Sequence, residues 1–246
     1  MVDRYRGDNN FEMSDNGEEW LLQRAIPHAT IVFDVGANQG DWTMAAARLN
    51  PTATFHCFEP SPTTFASLSA RCAGLKVVLN NRGCGEVSGE RSLFIDFDGS
   101  GANSLYDRVG TGNSAKKQEA VSITTVDEYC SAAQIGQVDF LKIDVEGHEL
   151  AVLRGARRLL AEGRVGMVQF EYGGTYIDAR TLLKDICEYV RSANDSYELY
   201  KLFPRHLQAI PEYRASLETF QYSNWALVYR PRWEVREGVP LPRVSK

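Results

Sequence analysis

Short apolar segments alternate with amphipathic segments along most of this 246-residue chain. The run Ile31–Val35 has the length of a buried strand, and Asp41–Leu49 has one apolar helical face and ends before Asn50-Pro51. Because a helix that connects two strands leaves them parallel, repeated alternation predicts a largely parallel sheet covered on both faces. Ligands of such sheets bind beyond the carboxyl ends of the strands.

The remaining elements follow from the same patterns. We predict further strands over Thr54–Glu59, Lys76–Leu79, Val121–Thr124, Val138–Ile143, Val165–Glu171, Tyr197–Phe203 and Trp225–Tyr229. We predict further helices over 17–26, Pro62–Cys72, Thr125–Ala133, Glu149–Ala161 and Arg180–Arg191. A hairpin around Gly89 and a mobile loop over Asp98–Lys117 are expected in the middle of the chain.

Three parts are expected: an N-terminal arm and helix over 1–29, one α/β domain over 30–232 and a C-terminal tail over 233–246. Residues 1–16 are polar and acidic, which predicts a loose arm rather than a signal peptide. A domain of this length buries a full core without disulfides or metals.

Composition narrows the possible partners. The formal net charge of −5 disfavours duplex nucleic acid, which binds basic surfaces. Five scattered cysteines without a Cys-x-x-Cys pair argue against a zinc site and a disulfide framework, and favour a cytoplasmic protein. No apolar stretch has the length of a membrane span, so no membrane partner is expected.

The first predicted strand ends in a glycine-containing loop, Asp34-Val35-Gly36-Ala37-Asn38-Gln39-Gly40. Counted from Gly36, a dinucleotide-binding fingerprint needs glycines where Asn38 and Asp41 stand. Asp41 would also repel a pyrophosphate at the start of the helix. S-adenosylmethionine carries no phosphate, and its sulfonium and ammonium groups are cationic. The acidic loop therefore predicts S-adenosylmethionine rather than NAD.

A carboxylate follows the second predicted strand, in Phe58-Glu59-Pro60. Glu59 comes about twenty residues after the glycines, where a carboxylate can accept two hydrogen bonds from a ribose diol. The alternative is a tight strand–helix turn that binds nothing. The combination of loop and spaced acid favours a cofactor site.

Ionisable residues cluster at the end of another predicted strand. Val138–Ile143 contains Lys142 and runs directly into Asp144-Val145-Glu146-Gly147-His148-Glu149. Charges at the end of a buried strand are costly unless they are paired or used. Glu171 ends the next strand and should lie at the same edge of the sheet. The alternative is that the glutamates only favour the N-terminus of the following helix.

These motifs resemble those of the FkbM-type methyltransferases. The likeness extends over residues 30–230 and rests on Asp34 to Gly40, Phe58-Glu59-Pro60, Thr125-Val126-Asp127, Leu141 to Glu149, Leu153 to Ala156 and Asn224-Trp225. It implies the class I methyltransferase (Rossmann-like) fold, a doubly wound, mostly parallel seven-stranded sheet with helices on both faces. It also implies S-adenosylmethionine as the methyl donor, and a hydroxyl on a macrolide, sugar or other secondary metabolite as the acceptor.

The resemblance implies a set of cofactor-binding residues on the predicted loops. They are Asp34, Gly36, Asn38, Gly40, Glu59, Gly83, Cys84 and Ser104. Gly83 and Cys84 would lie against the adenine. Ser104 belongs to a Gly/Ser loop over 100–105 that is expected to close over the site.

A hydroxyl nucleophile benefits from a general base. We assign Asp144, Glu146 and Glu171 to catalysis, with Asp144 or Glu146 as the favoured base, and place Lys142 and His148 on the substrate side. Lys142 would orient a carboxylate, and His148 is a further candidate base. A divalent metal between Asp144 and Glu171 is the less favoured alternative, and we expect none.

Three other functions stay open. They are a methyltransferase acting on RNA or another nucleic acid, a nicotinamide-dependent oxidoreductase and a non-catalytic module. Net charge disfavours the first, Asn38 and Asp41 disfavour the second, and the ionisable strand end disfavours the third. We expect a small-molecule or carbohydrate acceptor. The oligomeric state, a homodimer included, stays open.

Overall fold

The computed structural model describes residues 5, 7–96, 103–107 and 117–243. The strands are β1 (Ile31–Val35), β2 (Thr54–Phe58), β3 (Val77–Asn80), β4 (Gly83–Cys84), β5 (Gly89–Ile95), β6 (Lys117–Thr124), β7 (Val138–Ile143), β8 (Val165–Tyr172), β9 (Tyr197–Phe203), β10 (His206–Ala209), β11 (Ser223–Tyr229), β12 (Trp233–Arg236) and β13 (Val239–Pro242). The helices are α1 (Glu18–Ala25), α2 (Asp41–Leu49), α3 (Pro62–Arg71), α4 (Val126–Ala132), α5 (Glu149–Gly155), α6 (Arg157–Ala161), α7 (Thr175–Ala179) and α8 (Leu183–Ala193).

Eight strands form the central sheet, in the order β3-β2-β1-β7-β8-β11-β9-β10. Neighbours from β3 to β8 run parallel, and β11 is antiparallel to both β8 and β9. The predicted doubly wound, mostly parallel α/β sheet is confirmed. The predicted number of seven strands is one too few, because the two residues Pro204-Arg205 return the chain and β10 pairs antiparallel to β9 at the edge.

Helices cover both faces of this sheet. Val32 packs on one face with the apolar side chains of α1 and α2, and its neighbour Phe33 packs on the other face with those of α4, α5 and α6. Because successive strand residues point to opposite faces, each buried strand contributes to two separate cores. Both cores leave the carboxyl ends of the parallel strands at one edge of the molecule.

A second, three-stranded sheet has the order β4-β6-β5 and lies beside that edge. The predicted hairpin around Gly89 is wrong, since Gly89 begins β5, which pairs with β6 over its whole length. The error arose because the partner strand lies beyond a long connection, so that the local apolar pattern could not identify it. Most of the predicted 98–117 loop lies outside the described residues.

Both ends of the described chain pack against the domain. Asn9 exchanges hydrogen bonds with Tyr222, its backbone N donating to the carbonyl oxygen at 2.8 Å and its Oδ1 accepting from the backbone N at 3.1 Å. The prediction of a loose arm is therefore wrong for residues 7–16. The segment 233–242 forms the β12–β13 hairpin, and Trp233 packs in the same core as α1. The division into three parts stays a prediction.

The helices and the cysteines bear on the expectations from composition. None of their helices is both long enough and apolar enough to cross a membrane. All five cysteines are free thiols, and Cys187 is the one that is partly exposed.

The contact between α5 and β4 predicts an effect on stability. A Cβ at Gly155 would overlap the carbonyl oxygen of Gly85, next to β4. Gly155→Ala should therefore lower the free energy of unfolding by about 1–3 kcal/mol, measured by urea denaturation. Gly136→Ala is the matched control, since its Cβ would meet one arginine nitrogen at 3.6 Å, and it should change stability by less than about 0.5 kcal/mol. Equal effects of both substitutions would contradict the close packing of α5 on β4.

Candidate functional site

One cavity lies at the carboxyl ends of β1, β2, β7 and β8, where such sheets bind ligands. Ten of the predicted site residues line it. They are Gly36, Asn38, Glu59, Gly83, Cys84, Ser104, Asp144, Glu146, His148 and Glu171. The other three, Asp34, Gly40 and Lys142, are absent from its lining. The structure thus brings together most of the residues that the sequence singled out.

The glycine loop fits against the end of β7. Gly36 has a φ of 82°, and a Cβ there would overlap the carbonyl oxygen of Asp144, so only glycine is compatible with this approach. Gly40 has a φ of 88° and is the N-cap of α2, and a Cβ there would crowd Leu68 and Cys72. Gly40 therefore serves the turn behind the cavity rather than the cavity wall.

Glu59 is a buried carboxylate with a fixed orientation. Its Oε2 accepts a hydrogen bond from the backbone N of Asn38 at 3.1 Å, and its Oε1 accepts one from that of Ser61 at 2.9 Å. Burial raises its pKa to about 7, against the effect of these two bonds. Each oxygen keeps a further lone pair, so the carboxylate can accept bonds from a diol.

Lys142 is the buried cation beneath the cavity. Its Nζ lies 3.0 Å from Asp144 Oδ2 and 3.6 Å from Asp34 Oδ1. Burial alone would lower its pKa, but the charges of Asp144, Asp34 and Glu18 outweigh that effect and raise it. Asp34 also accepts a hydrogen bond from the hydroxyl of Thr43 at 2.6 Å. Lys142 and Asp34 therefore hold the strand ends together from behind the cavity wall.

Asp144 and two further carboxylates face one another at the β7 and β8 ends. Asp144, Glu146 and Glu171 each place an oxygen within 4.8 Å of the others, a geometry that could hold a metal ion. Burial raises the pKa of Glu171 well above its ordinary value, and the charges of Asp144 and Glu146 raise it further. Of the three, Asp144 has its charge balanced directly by Lys142.

His148 and Ser104 form another part of the wall. His148 Nδ1 is hydrogen-bonded to the Tyr106 hydroxyl at 2.9 Å, and Ser104 Oγ donates to the Glu146 carbonyl oxygen at 2.9 Å. Burial, helped by Arg91, lowers the pKa of His148 to about 4, so its imidazole is neutral at physiological pH. Residues 100–102 of the predicted closing loop lie outside the described residues.

Sequence reasoning missed the part of the cavity wall that the N-terminal segment supplies next to Tyr222. Phe11, Glu18 and Tyr222 line the cavity, and the rings of Phe11 and Tyr222 have centroids 4.4 Å apart. Glu18 was visible in the sequence only as an acidic residue in the first turn of a helix, a position that ordinarily needs no ligand. No local pattern links residues 9–18 to residue 222.

The known proteins to which this chain is similar are methyltransferases. Residues 34–197 match the family described as methyltransferase FkbM domain. The chain is 26% identical over 204 residues to the 2-O-methyltransferase NoeI of Sinorhizobium fredii, covering 76% of this chain and 79% of that one. It is 31% identical over 196 residues to the hexuronic acid methyltransferase AglP of Haloferax volcanii, covering 76% and 73%. An O-methyltransferase structure from Bacillus cereus, in complex with SAH, aligns at 13% identity and TM-score 0.46 over 86% of this chain and 80% of that one.

The position of Lys142 predicts a pH-dependent loss of stability. Lys142→Gln leaves buried carboxylates without their cation, so we expect the free energy of unfolding to fall by about 3–5 kcal/mol at neutral pH. Burial already raises the pKa values of Glu18 and Asp34, and removal of Lys142 raises them further. The folded variant then holds protons on Glu18 and Asp34 more tightly than the unfolded chain does. The loss of stability caused by Lys142→Gln therefore grows as the pH rises through these raised pKa values, and it shrinks in acid.

Urea denaturation of wild type and variant across this pH range measures the effect. Lys184→Gln is the control, because Lys184 pairs with Glu188 on the exposed face of α8. Its effect should stay below about 0.5 kcal/mol at every pH. A pH-independent loss for Lys142→Gln would contradict the charge balance described above.

Proposed function

Because the chain belongs to the FkbM methyltransferase family, with its class I fold and S-adenosylmethionine as cofactor, we propose that it methylates a hydroxyl group on a sugar, glycan or related metabolite. The printed activities of its relatives support this acceptor class: one is a 2-O-methyltransferase and another acts on a hexuronic acid. We also propose the cytoplasm as its location, in keeping with its free cysteines.

One observation supports this function above the others: the charge of the cavity. Five carboxylates line it, and no lysine or arginine does so among the described residues. The carboxylates are Glu18, Glu59, Asp144, Glu146 and Glu171. Such a wall favours a cationic ligand and repels phosphates, as electrostatics requires. It therefore supports S-adenosylmethionine over NAD, and an acceptor without phosphate groups over a nucleic acid.

The residues present fit the donor. Glu59 is placed to hold a ribose diol, and Asn38 Oδ1 is buried with no hydrogen-bond partner among the described residues, ready for a ligand donor. Apolar side chains, among them Leu93 and Ile123, form the cavity wall beside Gly83 and suit an adenine. When bound, S-adenosylmethionine supplies a methyl carbon that its sulfonium activates.

We assign the general base to Glu171. A base works best when its pKa lies near the working pH, and burial shifts the Glu171 pKa upward in that direction. Asp144 is already engaged by Lys142 at 3.0 Å, and the neutral His148 has its pKa lowered to about 4. In this assignment Glu171 accepts the proton of the acceptor hydroxyl, while Asp144 and Glu146 hold the acceptor in line.

Calorimetric titration and methyl transfer test the function. We expect the protein to bind S-adenosylmethionine and S-adenosylhomocysteine but not NAD, because of the acidic wall. Transfer of a labelled methyl group should be detected on at least one member of a panel of glycosides, uronic acids and polyketides. Binding of NAD without either sulfur ligand would contradict the proposal, and methylation of RNA alone would replace the acceptor class.

Glu171→Gln tests the base. We expect kcat to fall by about 10²- to 10⁴-fold while affinity for S-adenosylhomocysteine is retained. In the wild type, kcat/KM should decline as the pH falls through the raised Glu171 pKa, well above the range of an ordinary glutamate, and the variant should lose this decline. Glu188→Gln, on the exposed side of α8, is the control and should keep wild-type kinetics.

Two results would contradict this assignment. One is a Glu171→Gln variant that keeps both the wild-type rate and the acidic decline. The other is loss of wild-type turnover in a chelator with recovery on addition of Mg²⁺, which would assign Asp144, Glu146 and Glu171 to a metal.

A further inference from the structure

We propose that Glu18, from the helix that precedes the sheet, binds the ammonium group of the methionine part of S-adenosylmethionine. This inference rests on the proposed function, since it names a residue for the same donor. It concerns a side chain far from the glycine loop in the sequence.

The start of α1 is fixed against the sheet. Gly17, just before Glu18, has a φ of 100°, and a Cβ there would overlap the carbonyl oxygen of Phe203. Only glycine therefore allows α1 to begin at this point. Glu18 itself is 9% exposed and lines the cavity together with Gly36 and Asp144.

Two neutral amides hold the Glu18 carboxylate. Its Oε2 accepts a hydrogen bond from Asn16 Nδ2 at 2.9 Å, and its Oε1 accepts one from Gln169 Nε2 at 2.7 Å. The backbone N of Glu18 donates to Asn16 Oδ1 at 2.9 Å, which fixes the turn. Each carboxylate oxygen keeps a lone pair for another donor. The group is thus oriented but not neutralised by these contacts.

The surroundings of Glu18 leave its negative charge only partly compensated. The charged groups that face it are Lys142 and Asp144 on the β7 side, with the Tyr222 hydroxyl on the β11 side. Lys142 is engaged by Asp144 and Asp34. Burial raises the pKa of Glu18, and the nearby cation only partly opposes this. A buried carboxylate in this state gains stability when a ligand brings a positive charge.

The position of Glu18 relative to the strands indicates that it contacts the ammonium group of the donor. Glu59 follows β2, and Glu18 bonds to Gln169 on β8, with β1 and β7 between them. Neighbouring strands lie about 4.8 Å apart, so the two carboxylates stand at opposite ends of the cavity. With the ribose at Glu59, the amino-acid end of the donor extends towards Glu18. The ammonium is the cation at that end.

Two ligands distinguish binding of the ammonium group by Glu18 from a purely structural role of Glu18. S-adenosylhomocysteine has the amino-acid end, and 5′-methylthioadenosine has the same nucleoside and thioether without it. Glu18→Gln should weaken the calorimetric Kd for S-adenosylhomocysteine by about 10- to 100-fold and leave that for 5′-methylthioadenosine unchanged. Glu18→Asp, which keeps the charge, should recover part of the affinity. Glu19→Gln, the exposed neighbour, is the matched control and should change neither Kd.

A measurement on the wild type covers the case in which Glu18→Gln does not fold. The ratio of the two Kd values should shift in favour of S-adenosylhomocysteine as the pH rises through the raised Glu18 pKa. Glu59 contributes equally to both ligands, since both carry the ribose, and cancels in the ratio.

The outcomes distinguish a failure of the proposed function from a failure of the inference about Glu18. A wild type that binds neither ligand overturns the proposed function and this inference with it. A wild type that binds both overturns the inference alone if Glu18→Gln weakens both Kd values equally or neither. For a variant that fails to fold, a pH-independent ratio of the two Kd values does the same.

Discussion

The ion pairs of Lys142 hold the site together. A buried ammonium at the end of β7 lies 3.0 Å from Asp144 and 3.6 Å from Asp34, and Asp34 is bonded in turn to Thr43 of α2. These contacts connect β1, β7 and the first helix after the glycine loop at the point where the cavity opens. A buried charge without a partner would cost several kcal/mol, so each member depends on the others. The loop geometry follows, because Gly36 can approach Asp144 only while β1 and β7 are held in this register.

This arrangement leaves the cavity with an excess of negative charge. One buried cation lies behind a wall of five carboxylates, and four of them lie at or beside the ends of β7 and β8. An apolar site would not need them, and a phosphate-binding site would need the opposite sign. The stability of the folded protein and its choice of ligand therefore have the same physical origin. The carboxylates that burial disfavours are those that a cationic ligand would compensate.

Much of the fold and of the cavity could be predicted from the sequence, because parallel strands place their carboxyl ends at one edge of the sheet. Glu59, Asp144 and Glu171 end three different strands, and their convergence in one cavity follows from the alternation pattern alone. Lys142 and Asp34 were predicted as site residues, yet they lie behind the wall, where they are buried within β7 and β1 and pair with each other. Glu18 could not be predicted, since it reaches the site through a bond to residue 169. Contacts between distant parts of the chain leave no periodicity to detect.

The central sheet and the segments that pack beside it have different roles in the proposed function. The sheet supplies Gly36, Asn38 and Glu59, which face the nucleoside side of the cavity and depend only on backbone geometry and one spaced acid. The opposite side is built from the N-terminal segment and the approach to β11, where the tilted rings of Phe11 and Tyr222 contact each other and line the cavity with Glu18 and Glu171. We propose that an acceptor contacts Phe11 and Tyr222, next to the end of the donor that Glu18 binds. Acceptor selectivity is then set by the segments that the strand pattern does not determine, so the same sheet can serve many acceptors while only these segments change.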